Sequence, residues 1–255
     1  MAKPLKIVIP PMEKSAESQV RYFYNLLHLV LSKTEATDGP YTIEFYSEQI
    51  SMERSLATLA NGHGINLVWT TLNPKREREL LPIRISLIGD LNSYRVLLIR
   101  KGDQAKFDQV KTLADLRKLR VGLGSQWPDT DVMRHNHFEV VTSLNYDPLF
   151  KMLAANRFDF FPRGLYEVWN EEAAHKGLGL TIEKNIMLYY EVPFYFFVNK
   201  NNQALAQRIE RGLQMALADG SFNQLLISVP SFRRGLAEQA NSNRKLFTLK
   251  ANYAK

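Results

Sequence analysis

The sequence has no cysteine among its 255 residues. That excludes a disulfide framework, a cysteine-bearing zinc site and a thiol nucleophile. A chain of this length can build a core without staples, so the absence is compatible with either redox compartment. Also lacking is any apolar run near the roughly 20 residues that a membrane-spanning helix needs; the longest, such as residues 194–198, are strand-sized. Acidic residues are in the minority, 26 against 33 lysines and arginines, for a formal charge of +7. That balance permits nucleic acid, anionic lipid or an anionic small ligand, but the basic residues are spread rather than blocked, as on a solvated surface. Neither a metal nor a cofactor is expected. His135 and His137 are too close for a one-face helical pair, His63 sits in a glycine turn, and His28 borders an apolar helix face. Phosphate-binding loops and nucleophile elbows are absent, and Gly122-Leu123-Gly124 lacks the third glycine of a dinucleotide fingerprint.

What is present is an ordinary globular mix, 45% hydrophobic and 23% charged, in a length suited to one large domain or two small ones. Residues 5–9 read as a buried strand stopped by Pro10-Pro11. Val20, Phe23, Tyr24, Leu27, Val30 and Leu31 then fall on one face of a helix. Strands over 42–46 and 65–71 flank a short helix over 52–59, a β-α-β-α-β order that points to a parallel sheet. Further strands are expected at 81–87 and 94–99. After residue 101 the α/β pattern restarts, with a capping box at Thr112–Asp115, strands at 120–123, 139–142 and 158–161, and helices at 131–137, 146–155 and around Trp169. Pro162-Arg163-Gly164 ends the strand over 158–161. Residues 193–198 form an apolar strand, 204–218 an amphipathic helix, and helices follow at 222–227 and 232–239; the polar tail after Asn241 is expected to be loosely held. Two α/β units imply two lobes, with ligands outside the carboxyl ends of the strands.

Several segments resemble, in order, those of bacterial extracellular solute-binding proteins of family 3. Residues 71–76 (Thr-Leu-Asn-Pro-Lys-Arg) resemble the T-x-T-P-x-R segment, and 112–117 the L-x-D-L-x-G helix. Residues 121–125 resemble V-G-V-x-x-G-S, 153–159 resemble L-x-x-G-R-x-D, and 217–221 resemble A-x-x-D-G-x. A narrower subgroup also matches, through residues 126–130 and 157–164. The resemblance implies an α/β, two-lobe, type II periplasmic binding-protein fold, each lobe a mostly parallel sheet flanked by helices. Lobe 1 would comprise 1–100 plus 196–255 and lobe 2 would comprise 101–195, with hinge strands near 94–100 and 193–198.

Arg76 is the leading candidate for ligand binding. Its guanidinium can pair bidentately with a carboxylate, and it sits at a short helix start after Pro74, where free backbone N–H groups favour an anion. In the resembling family the matching arginine grips the ligand carboxylate, and the position of Thr71 donates a hydroxyl. Trp69 could stack on a cyclic ligand or pack within its lobe, and Thr70 closes the same strand. In lobe 2, Gly124-Ser125 could form an anion-binding nest beside Trp127. Asp129 and Asp131 could accept an ammonium or cap the next helix. Amino-acid binders of this family carry an aspartate where this chain has Gly164, with Arg163 beside it. That swap removes an acceptor and adds a cation, which points away from an ordinary α-amino acid unless Glu13 or Asp129 supplies the acid. Arg163 could equally point outward; Tyr166 would line the site.

The expected function is a non-enzymatic receptor that captures a small, carboxylate-bearing, anionic or zwitterionic molecule in an interlobe cleft. It would serve an inner-membrane ABC permease or a sensor, as a periplasmic monomer whose signal peptide is absent from the sequence. One alternative is an enzyme of the cyclohexadienyl-dehydratase type, drawing its acid from Glu13, Asp129, Asp131 or Glu167. The other is an effector-binding regulatory domain, for which no DNA-reading helix-turn-helix precedes residue 5; no nucleic-acid partner is expected.

Overall fold

The structure, a computed structural model, describes residues 4–11 and 18–251. Along the chain run β1 (Leu5–Ile9), α1 (Ser18–Lys33), α2 (Glu35–Asp38), β2 (Tyr41–Phe45), α3 (Met52–Ala60), β3 (Val68–Thr71), α4 (Pro74–Glu79) and β4 (Leu80–Ile83). Next come β5 (Tyr94–Arg100), α5 (Gln104–Asp108), α6 (Leu113–Leu116), β6 (Val121–Gly124), α7 (Pro128–His135), β7 (Val140–Ser143), α8 (Tyr146–Ala154), β8 (Phe161–Gly164) and α9 (Val168–Ala174). The chain continues through β9 (Leu180–Tyr189), β10 (Phe194–Asn199), α10 (Gln203–Ala218), α11 (Ser221–Ser228), α12 (Pro230–Asn241) and β11 (Lys245–Thr248). It divides into two compact units, Met1–Ile88 with Phe194–Pro230, and Gly89–Pro193 with Ser231–Lys255.

In the first unit β1 and β2 pair in parallel. Asn66 continues the sheet, its Oδ1 accepting the Val8 N–H at 2.8 Å while its own N–H reaches the Val8 carbonyl. β10 lies antiparallel between β3 and β4. Of the predicted face of α1, Phe23, Leu27, Val30 and Leu31 are buried and Tyr24 is half-buried, while Tyr22 and Leu26, which the spacing did not single out, are buried beside them. Leu56 and Leu59 of α3 pack with Ile65, Val68, Leu72, Leu80 and Phe197.

In the second unit the strand order is β11-β9-β5-β8, and β6 pairs in parallel with β7. A parallel bridge from Val121 to Phe160 brings β6 alongside the start of β8. The central β5 is antiparallel to both its neighbours. The sheets are therefore mixed rather than mostly parallel: β10 runs against β3 and β4, and β5 against β8 and β9, while β11 lies parallel to β9.

Two further expectations are corrected. The longest strand, β9, was not foreseen, because Glu183-Lys184-Asn185 interrupts its apolar pattern. Those residues bulge out: Val96 pairs with Met187 but Leu98 with Ile182. The fully buried Glu183 carboxylate accepts the N–H groups of Asn185 at 2.9 Å and Ile186 at 2.6 Å, which pays its desolvation. The tail is not loose over residues 245–250, since β11 pairs with β9 and Asn136 clasps Lys250 through both backbone groups. β5 forms the middle of the second unit's sheet, between β8 and β9. Residues 231–255 join that unit too, Phe232 packing edge-on to Tyr166 and Arg234 lying 4.4 Å over the Trp169 ring.

Candidate functional site

Each unit gathers predicted residues at strand ends. In the first, β3 carries Trp69, Thr70 and Thr71. Asn73 then caps α4, its Oδ1 accepting the Arg76 N–H at 2.8 Å, with Pro74 in the first turn. The cap therefore occupies a backbone donor that was expected to face an anion. Arg76 is buried and folds back over the strand end, donating Nη1 to the Thr71 carbonyl at 2.8 Å and to the Thr71 hydroxyl at 3.0 Å. Its Nη2 lies 3.4 Å from the half-exposed carboxylate of Glu53. Thr71 and Arg76 are thus brought together. Trp69 stacks on Phe23 at 6.0 Å and meets Phe196 edge-on, so its half-buried ring is held by packing within the unit. Thr70 is buried opposite Tyr195 in the register. Glu13 lies outside the described residues.

In the second unit, Ser125, Trp127, Asp129, Arg163 and Tyr166 converge where β6 and β8 end and β5 begins. The Ser125 N–H is taken by the Ser143 carbonyl at 2.9 Å, continuing the β6–β7 pairing instead of forming a nest. Its hydroxyl is buried and has no hydrogen-bond partner among the described residues. Asp129, in the first turn of α7, neither caps that helix nor stands free: its Oδ1 receives Arg95 Nε at 3.1 Å, Arg95 Nη2 at 3.0 Å and the Tyr190 hydroxyl at 2.7 Å. Burial alone would raise the Asp129 carboxyl, but the Arg95 charge and the Tyr190 hydrogen bond outweigh it and hold it below the usual carboxylate range.

Arg163 does not point outward. It is 7% exposed and forks onto Glu171, Nε to Oε2 at 2.7 Å and Nη2 to Oε1 at 2.6 Å. Its guanidinium lies 5.0 Å from the Trp127 ring, 5.5 Å from Tyr146 and 4.7 Å from Phe161, an aromatic cage for a cation. The Tyr146 hydroxyl also donates to Glu171. One edge of its fork, Nε and Nη2, is thus filled by Glu171.

Position 164 requires a residue without a side chain: a Cβ there would sit 2.6 Å from the Tyr166 ring and 3.3 Å from Glu167 Oε1. The carboxylate that the sequence lacks at this position is supplied from one turn onward. Glu167 Oε1 accepts the Gly164 N–H at 3.0 Å and lies 3.0 Å from Arg163 Nη2. Burial raises the Glu167 carboxyl above its ordinary value; Arg163 and Arg95 pull it down, Glu171 pushes it up, and the net is upward. Tyr166 is likewise raised by burial and by the neighbouring Glu167. Arg95, Glu171, Tyr146 and Tyr190 were not foreseen as parts of this network. The usable signal was an arginine inside the apolar strand β5, which demands a counter-charge. Among the described residues no group of three or more His, Cys, Asp or Glu is arranged to hold a metal ion.

No family model matches the sequence, and no curated protein matches it either. Solved structures do match in fold. The probable amino-acid ABC transporter extracellular-binding protein ytmK from Bacillus subtilis has a TM-score of 0.65 at 15% identity, covering 90% of this chain and 99% of the other. A Salmonella typhimurium periplasmic binding protein with high arginine specificity has a TM-score of 0.63 at 17% identity, covering 89% and 99%. The GluR0 ligand-binding core from Nostoc punctiforme, in complex with L-glutamate, has a TM-score of 0.57 at 16% identity, covering 89% and 100%. The chain has the mixed α/β fold of these type II periplasmic binding proteins over nearly its whole length.

Proposed function

We propose that the chain is a solute-binding receptor that takes up a small molecule, for delivery to an ABC-type permease or for sensing, without turnover. The observation that carries this reading is the gathering of charged and aromatic side chains at strand ends in both units, where α/β sheets bind their ligands. The solved structures of the same fold support it, since they include binding proteins for arginine and glutamate. Arg76, anchored on Thr71, is the proposed contact for a ligand carboxylate; a periplasmic location and a monomeric state are parts of the same proposal. The test is a thermal-shift screen of several hundred metabolites. A ligand at 100 times its dissociation constant should add about 2.7 kcal/mol of stability. A carboxylate hit whose shift disappears in Arg76→Ala, measured against the unliganded variant, is the expected result. A hit indifferent to Arg76 removes that residue from the site, turnover of a hit makes the protein an enzyme, and a silent screen overturns the receptor.

A further inference from the structure

The last part of the chain, residues 231–250, reaches three separate pieces of backbone that carry the charged network of the second unit. Near the start of α12, the fully buried Phe232 meets Tyr166 edge-on, with ring centroids 6.0 Å apart. One turn later Gly235 lies against Leu165, where a Cβ would be 2.5 Å from the carbonyl oxygen. Between them Arg234 sits over the Trp169 ring. The turn that carries Tyr166 and Glu167 has little backbone support from within: the Leu165 N–H reaches the Tyr94 carbonyl at 3.3 Å, and the Glu167 N–H reaches the Gly164 carbonyl at 3.1 Å. Packing against α12 therefore decides where these two side chains stand. At the far end of the segment, the Leu249 N–H donates to the Tyr189 carbonyl at 2.8 Å, one residue before the tyrosine that holds Asp129. Lys250 is clasped through both backbone groups by Asn136, which caps the helix carrying Asp129.

We infer that residues 231–250 are a positioning element of the proposed binding site: α12 sets Arg163, and the end of the chain sets Arg95. The first path is continuous. Phe232 abuts Tyr166, Tyr166 shares a side-chain hydrogen bond with Glu167, and Glu167 Oε1 lies 3.0 Å from Arg163 Nη2. The second runs from Lys250 through Asn136 and α7 to Asp129, and from Leu249 through Tyr189 to Tyr190; both reach the carboxylate that pairs Arg95. A binding constellation works only when its side chains are held to within about 0.5 Å by the packing behind them. Phe232, Gly235 and Asn136 supply that packing and are positioning residues, not ligand contacts. This role presupposes the receptor reading for what the site does, and assigns to the tail the task of keeping it in shape.

The experiment follows the two arginine Nε–H groups by heteronuclear NMR of the whole protein without ligand, well below the unfolding midpoint. Arg95 Nε donates to Asp129 at 3.1 Å and Arg163 Nε to Glu171 at 2.7 Å, so both protons should exchange slowly with water. Phe232→Leu and Gly235→Ala should each speed exchange at Arg163 by about tenfold or more and leave Arg95 within about twofold. Asn136→Ala should do the reverse. Leu116→Ala empties a fully buried position in α6; it should lower the unfolding midpoint while both protons stay protected. Should one α12 variant fail to fold, the other and Asn136→Ala decide. Unchanged exchange at Arg163 in the α12 variants overturns the positioning role. Equal acceleration of both arginines in every variant, Leu116→Ala included, also overturns it, since the segment would then add only overall stability. Neither failure touches the receptor reading, which the metabolite screen tests; a silent screen in turn overturns the receptor and leaves the exchange pattern as measured.

Discussion

At the scale of single residues, Asp129 decides whether the second unit can bury Arg95, whose side chain is 4% exposed. Asp129→Asn keeps a side-chain oxygen for Tyr190 but removes the carboxylate paired directly with that arginine. Breaking such a buried pair costs about 3–5 kcal/mol. A surface pair such as Lys6–Glu44, with both side chains half-exposed, is worth under about 1 kcal/mol, so exchanging Glu44 should barely move the unfolding midpoint. Urea denaturation of Asp129→Asn at neutral pH should show the large loss, and an unchanged midpoint would refute it. The pH dependence follows in sign. A carboxyl held below its unfolded value adds stability that is present above the ordinary carboxylate value and lost as pH falls through the depressed one. The variant's acid limb should therefore be flatter than the native protein's. Asp129, Arg163 and Tyr166 were legible as candidates because each follows an apolar strand. Their partners were not, since Arg95 and Asp129 lie 34 residues apart and one sequence does not pair distant charges. Glu167 and Glu171 follow Arg163 by four and eight residues, across the end of β8 and the start of α9, so this one charge cluster is local in sequence; that closeness was the unused clue.

At the scale of elements, the packing of α10 on α1 sets helix propensity against space. Gly212 is buried in the middle of α10, and propensity alone favours alanine there by about 1 kcal/mol. A Cβ at that position would lie 2.2 Å from the Val30 carbonyl oxygen, which is backbone and yields only if the helices separate. Gly212→Ala should therefore lower stability by about 1–3 kcal/mol net, read as an earlier denaturant midpoint with helical content retained. A more stable variant would show that α1 and α10 can part freely. The helices were the legible part of the fold, because a 3.6-residue stripe or a capping box is written within a single segment; the Thr112–Asp115 box forms as its spacing predicts. Strands were less legible wherever their pattern is broken. Pro162-Arg163-Gly164 reads as the end of a strand over 158–161, yet β8 pairs with β5 from Phe161 to Gly164. Pairing partners override local punctuation there, as β9 also shows across its bulge.

At the scale of the whole molecule, the second unit is discontinuous, and its closing strand comes from the end of the chain. Lys245 pairs with Ile186 and Thr248 with Tyr189, a parallel register that no local pattern announces. Arg244, just before β11, places Nη1 3.7 Å from the buried Glu183 carboxylate and donates Nε to Glu238 at 2.8 Å. Ending the chain at residue 241 removes β11 and Arg244 together. It opens the edge of β9, strips the one arginine beside Glu183 among the described ion pairs, and frees Asn136 from Lys250. Because β1–β2 and β3–β10–β4 draw nothing from those residues, the damage should be confined to the second unit. Amide exchange should accelerate across β9, the β5 ladder and the end of α7, while β3 and β10 keep their protection. Uniform acceleration in both units would mean that they unfold as a single cooperative body. Unchanged exchange in β9 would mean that β11 adds no stability to the sheet it completes.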